Sequence, residues 1–270
     1  MPLTPGDPVS VRTTLEEIAR LAGAELRRRF TEPRSIEKKG AVDLVTDADR
    51  AAEALILKAL AAAYPGVPVL AEESGPRPGA VGADFRFIVD PLDGTTNYAH
   101  GLPHFSTTVA AEDGQGVFAG VIYDPLRDEL YSAVRGGGAF CNGRRLTVAP
   151  TVTLDDAVLA TGFPYDLRAR GDEILGFFTD LIMKARAVRR FGSAALDLAY
   201  VAQGRYDGYW ERGLKAWDMA AGVLLVSEAG GIVSDYRGGP ARLDVGECLA
   251  ATGGLHGAMV EITRRRAGGP

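Results

Sequence analysis

Asp90-Pro91-Leu92-Asp93-Gly94-Thr95-Thr96 follows directly after the apolar run Phe87-Ile88-Val89, and this junction determines how the rest of the sequence is interpreted. A short apolar run bounded by turn residues predicts a buried strand. The two carboxylates at its end, three residues apart, can both face one site. Pro91 stiffens the turn between them, and Gly94 lets the backbone approach a ligand closely. The stretch therefore predicts a strand that ends in an acidic binding loop.

The same loop carries oxygen ligands of the kind that magnesium prefers. Proteins bind Mg2+ in an octahedron of carboxylates, waters and substrate phosphate oxygens. Asp90 is placed to bridge two ions, Asp93 to hold one of them, and the Leu92 carbonyl to add a ligand. Thr95 and Thr96 offer hydroxyl and amide groups to a phosphate. The alternative interpretation is a polar turn capped by aspartates, as in most Asp-Gly loops.

A second acidic pair, Glu72-Glu73, follows another predicted short strand at residues 67–70. Adjacent acids at the end of a strand are often simple surface charge. In combination with the aspartate loop, the pair predicts a third arm of a metal site. Glu72 is the main candidate ligand, and Glu73 is kept beside it.

A predicted strand turns into a helix at Asp43-Leu44-Val45-Thr46-Asp47-Ala48-Asp49. In a structural interpretation, Thr46 or Asp47 caps that helix, and the acids favour its positive N-terminus. In a functional interpretation, Asp43 and Asp49 also reach the metal pocket. The two interpretations are compatible.

A fourth acidic position, Asp218, stands near the start of the predicted helix 216–228, whose interior is nearly all apolar. A buried carboxylate needs a partner, because an unpaired buried charge is costly. Either a backbone N–H group at the helix start or a metal ion would supply that partner.

Composition restricts the function further. The chain has 270 residues, 46% of them hydrophobic, and a net charge of −5 from 30 basic and 35 acidic residues. This acidity argues against nucleic-acid binding, which needs a basic face. Two cysteines are too few for a disulfide framework, and no signal peptide or membrane-spanning stretch is visible. We expect a cytoplasmic enzyme that binds neither nucleic acid nor membrane.

Apolar periodicity predicts two halves within one folded unit. Residues 1–150 form an α+β half with a helix opened by a Thr14–Glu17 capping box, a helix after Thr46 and an antiparallel meander. Asn142-Gly143 supplies a tight hairpin turn. Residues 151–270 alternate strands and helices as an α/β half that supplies Asp218 and substrate contacts.

The order of these motifs resembles the inositol monophosphatase family over nearly the whole chain. The resemblance lies in four stretches: Asp90-Pro91-Leu92-Asp93-Gly94-Thr95-Thr96-Asn97, Trp217-Asp218-Met219-Ala220-Ala221-Gly222, Asp43-Leu44-Val45-Thr46 and Ala71-Glu72-Glu73-Ser74. It implies an α+β fold, the layered αβαβα sandwich, and two to three Mg2+ ions, for which Mn2+ is an expected substitute. It also implies a lithium-sensitive homodimer that is cytoplasmic in bacteria.

The resemblance also implies roles for individual residues. One ion would be held by Glu72, Asp90 and the Leu92 carbonyl, and the second by Asp90, Asp93 and Asp218; Glu72 would also contact a third ion. The implied catalytic residues are Glu72, Thr95 and Asp49, with Thr95 hydrogen-bonded to Asp49 and orienting the attacking water. The implied substrate contacts are Leu92, Gly94, Thr95, Thr96, Glu211 and Asp218. Lys38 falls at the spacing of a family lysine near the site, although Lys39 is adjacent.

The expected substrate is a small phosphorylated polyol or sugar. Related phosphatases of nucleoside bisphosphates carry Lys-Glu where this chain has Thr96-Asn97, which favours the inositol-phosphate branch and myo-inositol 1-phosphate. Fructose 1,6-bisphosphate remains an alternative, because metal ligands do not distinguish between esters of the same phosphate. An alternative of another class is a regulatory binding protein that retains the phosphatase fold.

Overall fold

The structure is a computed structural model that describes residues 6–32, 36–38, 44–164 and 167–266. Its elements stack in five layers, with helices outside, between and beyond the two larger of its three described β-sheets. The first helical layer contains α1 and α2, which pack against each other and cover one face of the first sheet. The elements of this part are α1 Pro8–Phe30, β1 Ile36–Lys38, β2 Leu44–Thr46 and α2 Asp47–Ala63.

The first sheet has eight strands in the order β10-β9-β8-β7-β6-β5-β3-β4. The predicted meander is confirmed, because neighbouring strands from β5 to β10 all pair antiparallel. Asn142 and Gly143 both have positive φ in the turn between β9 and β10, as predicted. The strands are β3 Val69–Ala71, β4 Gly75–Arg77, β5 Phe85–Asp93, β6 Ser106–Asp113, β7 Gly116–Asp124, β8 Glu129–Val134, β9 Gly138–Cys141 and β10 Arg144–Arg145, with α3 Thr95–Ala99 after β5.

The second sheet has five strands in the order β12-β11-β13-β15-β14. Strands β12, β11 and β13 run parallel, and β15 runs antiparallel to both of its neighbours. The elements of this part are β11 Val158–Thr161, α4 Leu167–Ile182, β12 Ala187–Arg189, α5 Ala194–Ala202, β13 Gly208–Arg212, α6 Ala216–Glu228, β14 Ile232–Ser234, β15 Glu247–Ala251 and α7 Gly253–Arg266.

The middle layer consists of α5 and α6, which pack against each other between the two sheets. This position explains why the sequence of both helices is almost entirely apolar, since a helix that is covered on all sides has no face for water. Helices α4 and α7 cover the outer face of the second sheet. The predicted αβαβα sandwich is confirmed. No helix in the described ranges combines the length and apolarity needed to cross a membrane.

The start of α1 differs from the prediction. The helix begins at Pro8, and the Asp7 carboxylate accepts hydrogen bonds from the N–H groups of Val9 and Ser10. Thr14 lies inside the helix, where its hydroxyl donates to the Ser10 carbonyl. The predicted capping box at Thr14 was wrong, because Asp7 followed by Pro8 is the earlier and complete start signal.

Close approach of α6 to the first sheet depends on Gly120 in β7. A Cβ atom at this position would stand 2.9 Å from the Cα atom of Ala221, which belongs to the backbone of α6. Asp218 lies one turn before Ala221 in the same helix. The missing side chain of Gly120 therefore helps to set the distance between the sheet and the helix that carries Asp218.

We predict that Gly120→Ala lowers the free energy of unfolding by about 1–3 kcal/mol, because the new methyl group overpacks the interface with the α6 backbone. Urea denaturation of the metal-free protein measures the change. Gly257→Ala in α7 is the matched control, since no atom lies within 4 Å of its added Cβ. The control should be as stable as the unchanged chain or more so. Equal stability of both variants would contradict the packing argument.

Candidate active site

The acidic motifs that are separate in the sequence line one cavity of about 290 Å³. The cavity opens where the end of β5, the starts of α3, α5 and α6 and the end of β13 come together. A volume of this size suits a small ligand. The predicted site residues that line the cavity are Glu72, Asp90, Leu92, Asp93, Gly94, Thr95, Thr96, Glu211 and Asp218.

The aspartate loop is the irregular end of β5. Pairing with β6 shifts register between Asp90 and Asp93, so the strand bends and both carboxylates face the cavity. Gly94 follows with φ of +95° and leads into α3, and a Cβ atom there would press on the backbone of His104 at 3.0 Å. Glycine is required by both the conformation and the space. The loop thus places two acids beside the N–H groups that begin a helix.

Asp93 is held in place by the start of α5. Its Oδ2 atom accepts a short hydrogen bond from the Ser193 hydroxyl and another from the Ala195 N–H at 2.9 Å. Ser193 is also the N-cap of α5, where its hydroxyl oxygen accepts from the Leu196 N–H. Two elements that are distant in sequence therefore meet at a single carboxylate.

Asp218 has two functions at the start of α6. Its Oδ2 atom accepts the Lys215 N–H at 2.7 Å, which ties down the N-terminal turn of the helix. The same carboxylate lines the cavity together with Asp90 and Asp93. The two partners that the sequence offered for Asp218, a helix N–H group and a cation, are thus compatible with each other.

Glu72 lies close enough to Asp90 to raise the pKa of the Asp90 carboxyl. Backbone bonds hold both residues, since Glu72 N–H donates to the Val89 carbonyl and Leu92 N–H donates to Asp90 Oδ1 at 2.9 Å. A cation bound between the two carboxyl groups would compensate both charges.

The crowding of the acids raises the pKa values of the whole cluster. Burial raises the pKa of Asp90 well above its usual value, and the charges of Glu72, Asp93 and Asp218 raise it further. Burial likewise raises the pKa of Asp218 well above normal, and the pKa of Asp93 to about 6 despite its hydrogen bonds. The cavity therefore disfavours its own negative charges.

This arrangement fits a hard divalent cation. The donors are carboxylates and one carbonyl, all of them oxygen, which is the set that magnesium prefers. Within the described ranges, no three His, Cys, Asp or Glu side chains converge tightly enough to enclose an ion as they stand. Three of the carboxylates turn to nearby donors instead: Asp90 to the Leu92 N–H, Asp93 to Ser193 and Asp218 to the Lys215 N–H. A bound cation would reverse that preference.

Thr95 and Asp49 meet at the side of the cavity. The Thr95 hydroxyl oxygen lies 3.1 Å from Asp49 Oδ1 and 2.9 Å from the Leu92 carbonyl oxygen, and it can donate to either. Asp49 is fully buried, and its Oδ2 atom accepts both the N–H and the hydroxyl of Thr46. Asp49 thus completes the capping box of α2 and contacts Thr95 at the same time.

Glu211 lines the same cavity from β13. Its Oε2 atom accepts the Tyr209 hydroxyl at 2.6 Å. Burial raises the pKa of Glu211 to about 7, while the Tyr209 hydrogen bond and the charge of Arg190 act in the opposite direction. A carboxyl with this pKa can accept hydrogen bonds from hydroxyl groups near neutral pH.

Three further candidates remain, of which Glu73 does not line this cavity. Glu73 lines an adjoining groove next to Glu53, whose carboxylate accepts the Glu73 N–H at 2.8 Å. Lys38 is in β1, and its backbone pairs with Leu44, while its predicted role at the site stays a prediction. Asp43 lies outside the described residues.

Sequence reasoning missed part of the cavity wall. Ser193 and Ala194 line it from the start of α5, Arg190 from the preceding loop and Gly162 from the end of β11. A signal existed for α5, because a strand followed by Gly192-Ser193 and an apolar helix has the same form as the aspartate loop. Gly162 gave no such signal, because its role depends on a neighbouring strand.

Known proteins match this chain across its length. A model of the inositol monophosphatase family matches residues 7–267. Inositol-1-monophosphatase of Mesorhizobium japonicum is 46% identical over 251 residues, 92% of this chain and 94% of that protein. Nus factor SuhB of Pseudomonas aeruginosa is 48% identical over 219 residues, 80% of this chain and 81% of that protein.

The fold also has solved counterparts. The crystal structure of extragenic suppressor protein suhB from Bartonella henselae superposes with a TM-score of 0.91 at 42% identity, covering 95% of this chain and 99% of that one. Sequence and structure agree on one family. The chain therefore belongs to the inositol monophosphatase family and is a phosphoric monoester hydrolase.

Proposed function

We propose that this enzyme hydrolyses a small polyol phosphate, with myo-inositol 1-phosphate as the first candidate, and that it requires Mg2+. The observation that supports this most strongly is the single cavity that is lined by four carboxylates and also by Glu211. The four carboxylates fit a cation and, through it, a phosphate, and Glu211 fits hydroxyl groups. Inositol-1-monophosphatase of Mesorhizobium japonicum, at 46% identity, supports the substrate.

The acidic side would hold the metal and the phosphate. The proposed metal ligands are Glu72, Asp90, Asp93, Asp218 and the Leu92 carbonyl. Bound Mg2+ would supply an activated water and stabilise the negative charge of the leaving oxygen. The N–H groups at the start of α3, beside Gly94, Thr95 and Thr96, would orient the phosphate.

Thr95 and Asp49 would position the attacking water. When the Thr95 hydroxyl donates to Asp49, its oxygen lone pairs are free to accept a hydrogen bond from water. The buried Asp49 carboxylate fixes that direction, because Thr46 holds its other oxygen. Proton transfer assisted in this way typically contributes a factor of about 100 or more to the rate.

Two alternatives have support of their own. Arg190 and Lys215 line the cavity and would meet a second phosphate, which keeps fructose 1,6-bisphosphate as an alternative substrate.

A regulatory binding role is favoured by the 48% identity to Nus factor SuhB of Pseudomonas aeruginosa. Recovery of a stoichiometric partner from lysate, with and without RNase, tests that second role. We further propose a cytoplasmic, lithium-sensitive homodimer, on the family resemblance.

The proposed reaction predicts magnesium-dependent phosphate release from myo-inositol 1-phosphate, ahead of fructose 1,6-bisphosphate and 3′-phosphoadenosine 5′-phosphate. Phosphate release is measured with each ester in magnesium, in manganese and in EDTA. A preference for another of these esters would keep the metal chemistry and change the substrate. No release from any ester, with folded protein and saturating magnesium, would contradict the proposed function.

Replacing one acid separates catalysis from stability. We expect Asp90→Asn to lower phosphate release at least about 100-fold, because a proposed metal ligand is lost. In EDTA the same variant should melt about 2–4 °C higher, because the repulsion around Asp90 is relieved. Asp113→Asn is the control: Arg135 pairs with Asp113 and holds its pKa below normal, so this variant should melt lower and stay active.

The raised pKa values predict that metal binding releases protons. Below about pH 6 Asp93 retains a proton that an ion must displace, so the affinity for Mg2+ should rise as pH rises through this value. Titration calorimetry in buffers of different ionisation enthalpy, at about pH 6 and about pH 8, measures the protons released. Release should be larger at the lower pH. Equal release at both values would contradict the assignment of Asp93 as a ligand.

A further inference from the structure

Two neighbours that are not among the proposed metal ligands, Tyr209 and Gly162, hold Glu211 in place. Tyr209 and Glu211 are two positions apart on β13, so their side chains leave the same face of the sheet. Tyr209 is fully buried in the core between the two sheets, and its hydroxyl reaches Glu211 Oε2 at 2.6 Å. The buried tyrosine therefore gives the carboxylate a hydrogen-bond donor in a fixed position.

Gly162 provides the space that the carboxylate occupies. In the pairing of β11 with β13, Ala160 lies beside Tyr209 and Thr161 lies beside Trp210. Gly162, the residue directly after β11, therefore lies next to Glu211. A Cβ atom at Gly162 would overlap all three atoms of the Glu211 carboxyl group. Any side chain at this position would therefore push the carboxylate out of its place.

The two contacts leave one oxygen for a ligand. Oε2 is taken by Tyr209, whereas no group in the described part of the chain donates to Oε1, and the residue lines the cavity. Burial and the charges of Glu211 and Asp197 raise the pKa of Tyr209 well above normal, so its hydroxyl remains a donor. Without that hydroxyl, attraction to Arg190 would draw the carboxylate toward the exposed rim.

We propose that Tyr209 and Gly162 are positioning residues that fix Glu211 Oε1 toward the substrate, and that they thereby set the preference for phosphate esters with a free hydroxyl near the ester bond. This inference rests on the proposed polyol phosphatase function. It assigns part of the substrate selectivity to a buried tyrosine hydroxyl and to a missing side chain, neither of which need touch the substrate.

The test compares two esters in two variants, Tyr209→Phe and Gly162→Ala. Phosphate release is measured with saturating Mg2+ on myo-inositol 1-phosphate, which has hydroxyls beside the ester, and on phenyl phosphate, which has none. Tyr206→Phe is the control, because Tyr206 is another buried tyrosine of the same core and its hydroxyl makes no hydrogen bond to Glu211.

For both variants we expect kcat/KM on myo-inositol 1-phosphate to fall about tenfold, mainly through KM, since one oriented hydrogen bond to a charged group is lost. Phenyl phosphate and the control should change less than about twofold. If the ratio of the kcat/KM values on the two esters stays unchanged in both variants, whether or not activity falls, the inference is wrong while the proposed function stands. If the protein without substitutions does not prefer the inositol ester, both are wrong.

Discussion

Like charge confined to one cavity is the constraint on which the rest of this structure depends. Burial and mutual repulsion raise the pKa values of Asp90 and Asp218 well above normal. A protein that buries such a cluster loses folding free energy at neutral pH, because the unfolded chain keeps the same acids in water. Such a cluster is tolerable only when the surroundings compensate the charge, and a divalent cation is the most effective compensation available.

The layered fold supplies the remaining compensation through the starts of its helices. Asp49, at the start of α2, and Asp218, at the start of α6, each accept an N–H group of their own helix. Asp93 accepts one from α5. The N-terminus of a helix carries partial positive charge, so several such ends around one cavity stabilise acids there. Capping and metal binding are therefore two uses of the same carboxylates.

What the sequence could predict follows from the range of each interaction. The bend after Asp90 and the capping of α2 by Thr46 depend on residues within a few positions; the sequence predicts the bend, and it offers Thr46 as one of two caps. The bond from Ser193 to Asp93 spans 100 residues, and nothing near either residue reveals it. Gly162 acts only because the register of β11 and β13 brings it beside Glu211. Long-range contacts of this kind require the fold itself.

Selectivity in such an enzyme must arise away from the metal. A cation that attracts one phosphate monoester attracts them all, so the acidic side of the cavity binds substrates with little discrimination. A buried carboxylate is different, because a substrate without a matching hydroxyl leaves it desolvated and unpaired. That penalty is large only if the carboxylate is unable to turn toward another donor. The Tyr209 hydroxyl holds one oxygen of Glu211, and Gly162 leaves the space in which the carboxylate sits, so the core beneath the site contributes to substrate selectivity.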